Sequence, residues 1–192
     1  MHGTASGRLP DLSRPAETTS NFRRGSVDDA GPLAAFAARL YVETFGAHTS
    51  LEDLGQFLER SYSPAKQAAE LADPEIVTIV GHSGTSLSAF AQVRRHTPPP
   101  CVVGEQPVEL WRFYVDRPWH GRGVADALMR AVHAAARDLN GASLWLSVWE
   151  RNARAIAFYS RFGFRDVGSQ DFWVGTDRQI DRILLAEVPR LD

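Results

Sequence analysis

Apolar residues along the chain recur at two spacings, and the switches between them predict its elements. Residues 1–20 are polar, rich in Pro, Gly, Ser and Thr, and show no period, so a disordered leader is expected there. "NFRRGSV" (21–27) offers a short first strand. From Asp28 to about Phe45 the pattern is helical, with Asp28 or Asp29 as cap, Pro32 in the first turn and Gly46 as stop. A second helical stretch, "SLEDLGQFLERSY", opens with Ser50 and Asp53 at capping-box spacing, and a third, "SPAKQAAELADP", ends before Pro74. "EIVTIVG" and "SLSAFAQVRRH" read as strands around an "HSGT" turn, and "TPPPCVVGEQP" as an irregular excursion. "VELWRFYVD" is a strand dense in β-branched and aromatic residues. Beyond it, "WHGRGVADALMR" leads into a helix in which Val124, Leu128, Ala131, Ala135 and Leu139 recur at helical spacing until Asn140-Gly141. "SLWLSVW" is another strand and "ERNARAIAFYSRF" a helix closed by Gly163. "FRDVGSQDFWV" and "RQIDRILLAEV" form a last pair of strands around "GTD".

The order β, helices, β-β-β, α, β, α, β-β is neither strict alternation nor separate blocks. It predicts one α/β domain over residues 21–192 with a mixed, α+β-like sheet. Composition leaves this picture unchanged: 192 residues, 44% apolar and 23% charged, are ordinary for a globular protein. A net charge of −2 gives no electrostatic case for a nucleic acid or an anionic membrane as partner. Cys101 is the only cysteine, which excludes an intrachain disulfide and a thiolate zinc site. His48, His82, His96 and His133 show no metal-ligand spacing, so no metal is expected. There is no run of 18 apolar residues and no basic-then-apolar leader, and a cytoplasmic protein is expected.

The first candidate chemistry is the glycine segment. A helix start leaves unpaired N–H groups and about half a positive charge, and here no side chain of capping type precedes it. Gly121 and Gly123 let an anion approach the backbone, and Arg122 adds a fork suited to phosphate oxygens. A tight strand-to-helix turn would use the same glycines. The segment is neither a P-loop nor a dinucleotide fingerprint. The second candidate is "LWLSVWERNARAIAFYSRFGF", where helical spacing puts Asn152, Ile156 and Tyr159 on one face and Phe158 and Phe162 on another. An N-cap and a half-buried aromatic would explain Asn152 and Tyr159 equally well.

Taken together, the two segments resemble the GNAT N-acetyltransferase superfamily. The phosphate loop of that family, Q/R-x-x-G-x-G/A, is matched by His120-Gly121-Arg122-Gly123-Val124-Ala125, with His120 where Gln or Arg is usual. Its later motif is matched by Asn152, Phe158-Tyr159 and Gly163-Phe164. That segment and "DFWVGTDRQIDRILL" are similar to PaiA-type polyamine acetyltransferases. The resemblance implies a central twisted sheet of about seven strands with flanking helices and a splayed central strand pair. It implies acetyl-CoA as donor, its pyrophosphate on the amides of 121–125. Its pantetheine arm would run along Phe113, Tyr114 and Val115 and meet Asn152, with Tyr159 as general acid for the departing thiolate. Glu109 and Glu43 are the candidate bases for an amine acceptor, whether small molecule or peptide. Glu109 is expected in the strand phase of Trp111, Phe113 and Val115 unless a bulge intervenes. Glu43, Glu52, Asp53 and Glu59 are either an attraction for polyamines or a solvated helix face. Trp111, Phe172 and Trp173 are pocket or core aromatics. A non-catalytic acyl-CoA-binding regulator of the same fold is the alternative. The family resemblance leaves a homodimer open.

Overall fold

The computed structural model describes residues 20–46, 50–174 and 177–190. The expected leader, apart from Ser20, and also His48 and the Gly175-Thr176 tip of the last hairpin, therefore lie outside the described residues. The elements are β1 (Asn21–Arg24), α1 (Ala30–Phe45), α2 (Leu51–Tyr62), α3 (Pro64–Ala72), β2 (Ile76–Ser83), β3 (Ser86–Arg94) and β4 (Pro107–Val115). They continue with α4 (Val124–Asp138), β5 (Ser143–Trp149), α5 (Ala153–Arg161), β6 (Arg165–Val174) and β7 (Asp177–Glu187).

Local chemistry sets the boundaries. β1 stops at Arg24, short of the expected Val27, because Asp29 draws the chain into a turn. Its carboxylate accepts from the Ser26 amide at 2.8 Å and from both Arg23 Nη atoms at 2.7 Å. Ser50 caps α2 by accepting from the Asp53 amide at 3.1 Å, as its spacing predicts. Asn140 ends α4 with a left-handed φ of 55°. α1 ends before Gly46 as expected, with Gly46 as its C-cap at a right-handed φ of −59° rather than a left-handed one.

Seven strands form one sheet in the order β1-β2-β3-β4-β5-β7-β6. Every pairing is antiparallel except β4 with β5. On one face, α4 presents Leu128, Met129, Val132 and Ala136 to Ala89, Ala91 and Val93 of β3, all fully buried. The small alanines let the helix sit close, and each large side chain so buried contributes about 1.5–3 kcal/mol. On the other face, Leu33, Phe36, Ala37 and Leu40 of α1 cover Val80 and Phe90. Beneath that layer Arg112 reaches Glu70 and Gln92, and Glu70 also accepts from Gln67 and Gln92 at 3.1 Å. This polar set joins α3, β3 and β4 inside the core.

The feature that positions the site is a defect in β4. Val93 pairs with Leu110 and Gln92 with Arg112, so Trp111 is an extra, bulged residue. Its ring is sandwiched between the guanidinium groups of Arg94 and Arg112, 3.7 and 3.8 Å from its centroid. A bulge bends its strand. β4 and β5 pair only over Pro107–Ser143, Val108–Leu144 and Glu109–Trp145, and then part. The expected splayed pair is thus present. Among the described residues no helix is long and apolar enough to cross a membrane.

Candidate active site

The parted strands open a cleft of about 1320 Å³ that runs through the sheet from one face to the other. Its back end meets the start of α4. Gly123 takes φ 77° and ψ 0° there, a left-handed conformation that glycine adopts freely, and Gly121 has φ 73°. Ala127 is the first amide to donate to a helix carbonyl, that of Gly123 at 3.0 Å. The amides of residues 121–126 donate to no carbonyl among the described residues, and no side chain caps the helix. Arg122 lies exposed with its guanidinium 5.6 Å from the Trp119 ring. The Val124 side chain is buried in the core, so only its amide can face a ligand. His120 lies exposed at the cleft, its Nε2 donating to the Val115 carbonyl at 2.8 Å.

From Leu110 to Val115 the β4 edge facing β5 carries no strand partner, and of its outward main-chain groups the Val115 carbonyl is taken by His120. Phe113 and Val115 turn their side chains to the α4–α5 face. Tyr114 points the other way, half-buried, stacked on Phe90 at 5.3 Å and with its hydroxyl 3.4 Å from that of Tyr62. Its main chain pairs with Phe90 in the register that has the Asp116 amide donate to Ser88, so neither ring nor main chain of Tyr114, an expected coenzyme contact, faces the gap. Across the gap, Asn152 caps α5, Oδ1 accepting from the Ala155 amide at 3.1 Å, which leaves its Nδ2 donor for another partner.

Tyr159 is 8% exposed and packs its ring against Phe113, Phe158 and Phe164 at 5.4–6.1 Å between centroids. Its hydroxyl makes no hydrogen bond among the described residues, and burial holds its pKa well above that of free tyrosine. Phe158 and Phe162 pair as expected, 5.1 Å apart and against the core, but Phe158 also lines the cleft beside Tyr159 and meets Phe113 at 5.4 Å.

The two glutamates lie at the cleft's front end, each held by an arginine. Glu109 is buried, 2.5 Å from Arg94 Nε. It does not share the phase of Phe113 and Val115, because the bulge at Trp111 reverses the alternation. It belongs with Arg112 and Tyr114 on the α1–α3 face. Glu43 is exposed on α1, 2.9 Å from Arg39, which also clamps Asp116 at 2.8 Å. Hydrogen bonds from Arg39 hold the Asp116 carboxyl below its usual range. Trp111 and Phe172 line the cleft, whereas Trp173 is 55% exposed and does not.

Sequence reasoning missed Asp181. It lies opposite Trp149 and Gln170 in the sheet, 7% exposed, with Ser147 Oγ donating to Oδ2 at 2.5 Å. Burial raises its pKa and the Ser147 bond only partly offsets this. The signal was its phase: Asp181 alternates in step with Ile183 and Leu185, both buried. No cluster able to hold a metal ion occurs among the described residues.

A family model described as "Acetyltransferase (GNAT) family" matches residues 38–164. An uncharacterised N-acetyltransferase of Mycobacterium tuberculosis (strain ATCC 25618 / H37Rv) is 30% identical over 162 residues, 84% of this chain and 99% of that one. A spermine/spermidine N(1)-acetyltransferase of Bacillus subtilis (strain 168) is 35% identical over 66 residues, 34% of this chain and 43% of its own. Among solved structures, the PaiA N-acetyltransferase of Thermoplasma acidophilum in complex with coenzyme A superposes with a TM-score of 0.69. It is 18% identical and covers 88% of this chain and 99% of its own.

Proposed function

This chain belongs to the GNAT acetyltransferase family, as an acetyl-CoA-dependent N-acetyltransferase, and on that premise we propose how its cleft divides donor from acceptor. The coenzyme's pyrophosphate rests on the acceptor-free amides of Gly121, Arg122, Gly123, Val124 and Ala125, with the Arg122 guanidinium closing over it. His120 is committed to Val115, so the backbone carries the grip that a longer Gln or Arg would share. The pantetheine arm lies as a pseudo-strand against the main chain of Phe113 and the Val115 amide, on either side of a Tyr114 that pairs with Phe90, and Asn152 Nδ2 donates to it. This places the thioester where the strands part, beside Tyr159.

The acceptor is a primary amine that attacks the thioester carbonyl directly. Tyr159, kept protonated by its apolar surroundings, gives its proton to the sulfur as the C–S bond breaks. Glu109 and Glu43 were the sequence candidates for the acceptor's proton. Each has its charge answered by an arginine, which makes it a poor trap for a cation. Release of a free thiol suits a reducing cytoplasm, the location expected from the sequence.

One observation carries this reading: the sheet opens after Glu109–Trp145, and the opening leads to a helix mouth whose amides lack acceptors. The test has two steps. Acetyl-CoA raises the melting temperature, and thiol is then released when an amine is supplied. No shift sinks the coenzyme site. A shift without release on any amine turns the protein into the acyl-CoA-binding regulator of the same fold.

A further inference from the structure

Building on the acetyl-transfer reading, we infer that Asp181 binds the acceptor's ammonium and takes its proton, and that the acceptor is a monoamine on an apolar, preferably aromatic, body. Glu43 and Asp116 share Arg39, Glu109 is held by Arg94, and the core Glu70 holds Arg112. Among the described residues Asp181 is thus the one carboxylate of the cleft with no cationic partner. A buried carboxylate without a counter-ion is costly, and an ammonium ion is the natural complement. One such carboxylate fits one ammonium. A polyamine brings several, and the other carboxylates of the cleft are already held by arginines.

The walls describe what the ammonium is attached to. Trp149 meets Phe45 edge-on at 6.2 Å, Phe45 meets Tyr41 at 4.8 Å, Tyr41 stacks on Phe57 at 4.5 Å, and Phe57 meets Phe172 at 6.2 Å. This aromatic row, contributed by α1, α2, β5 and β6, faces the cleft beside Asp181. Rings at this spacing favour both a cation and an apolar or aromatic substituent.

Position completes the argument. Tyr159 packs on the α4–α5 face and Asp181 lies on the α1–α3 face, so the two groups flank the gap. Groups facing Asp181 are Tyr41 from α1, Ser147 and Trp149 from β5 and Gln170 from β6, with Arg94, His96 and Glu109 farther along the cleft. The bound ammonium passes one proton to Asp181 and attacks the carbonyl carbon as a free amine. The C–S bond breaks, the sulfur takes the Tyr159 proton, and the proton shed by the amide nitrogen restores Tyr159 through water. Asp181 returns its own proton to solvent, so the reaction releases one H⁺.

Thiol release is measured across a pH series with 2-phenylethylamine, hexylamine, putrescine and spermidine, for the wild type and Asp181→Asn. Acetyl-CoA affinity is measured on both proteins. The expected result is a kcat/KM for 2-phenylethylamine at least about tenfold above that for spermidine. Asp181→Asn should lower it by about 10²–10⁴-fold and remove the acid limb of its pH profile, with acetyl-CoA affinity unchanged. Preference for spermidine or putrescine, no turnover of either monoamine, or an unaltered pH profile in Asp181→Asn overturns the inference and leaves the coenzyme site standing. Failure of both proteins to bind acetyl-CoA instead overturns the acetyl-transfer reading, and this inference with it.

Discussion

Replacing Tyr159 with Phe separates a catalytic phenol from a packing ring. The ring's contacts with Phe113, Phe158 and Phe164 survive, because only the hydroxyl leaves. That hydroxyl has no hydrogen-bond partner among the described residues, so its loss strands no donor or acceptor. Stability should stay within about 0.5 kcal/mol of the wild type, the range of a change that opens no cavity and breaks no polar contact. Turnover should not. Without an acid the thiolate leaves with its full charge in an apolar pocket, and loss of a positioned acid costs about 10²–10⁴-fold. At about 1.36 kcal/mol per decade this is about 2.7–5.4 kcal/mol of transition-state stabilisation. The assay pairs urea denaturation and acetyl-CoA titration with thiol release at saturating coenzyme. Unchanged turnover refutes the acid role. A loss of acetyl-CoA affinity matching the loss of rate refutes it as well, since it would show that the hydroxyl binds the donor rather than serving the transition state.

Three further outcomes follow from the same geometry. Gly123→Val places a branched side chain at φ 77°, costing about 1–2 kcal/mol of backbone strain. An added Cβ meets no protein atom within 4 Å, and with the pyrophosphate seated as proposed it takes that group's space, so acetyl-CoA affinity should fall about 100-fold; unchanged affinity by calorimetry would contradict the helix-mouth site. Arg112→Ala leaves the Glu70 carboxylate buried without its guanidinium and should cost about 3–5 kcal/mol in urea denaturation, a loss under about 1 kcal/mol arguing that the network is dispensable. Asp181 has a folded pKa above its unfolded value of about 3.9, so the native state binds the extra proton and stability falls as pH rises between the two. Asp181→Asn should therefore melt higher than the wild type at neutral pH, with the difference shrinking toward about pH 4; a variant less stable at neutral pH reverses the sign of that burial cost.

How far the chain could be read in advance depended on the range of the forces involved. α4 announced itself through the spacing of Val124, Leu128 and Leu139, because helix periodicity and capping are settled within a few residues. The same locality exposed Gly121 and Gly123 before a helix without a side-chain cap, and Asn152 at the start of α5. The phase of Glu109 was misjudged for the converse reason: a bulge is defined by the neighbouring strand, and Trp111 is extra only against Gln92 and Val93 of β3.

The amino-acid order by itself determined the elements, the mixed sheet and the helix mouth, since each depends on hydrophobic period, turn chemistry and backbone donors a few residues apart. Only the tertiary structure decided which charges remain free. Arg94 and Arg39 neutralise Glu109 and Glu43, while Asp181, unremarkable in sequence, is buried across from Trp149 and has no ion-pair partner among the described residues. Electrostatic pairing and desolvation act through space, and a carboxylate becomes a base or a spectator according to the neighbours that folding brings to it.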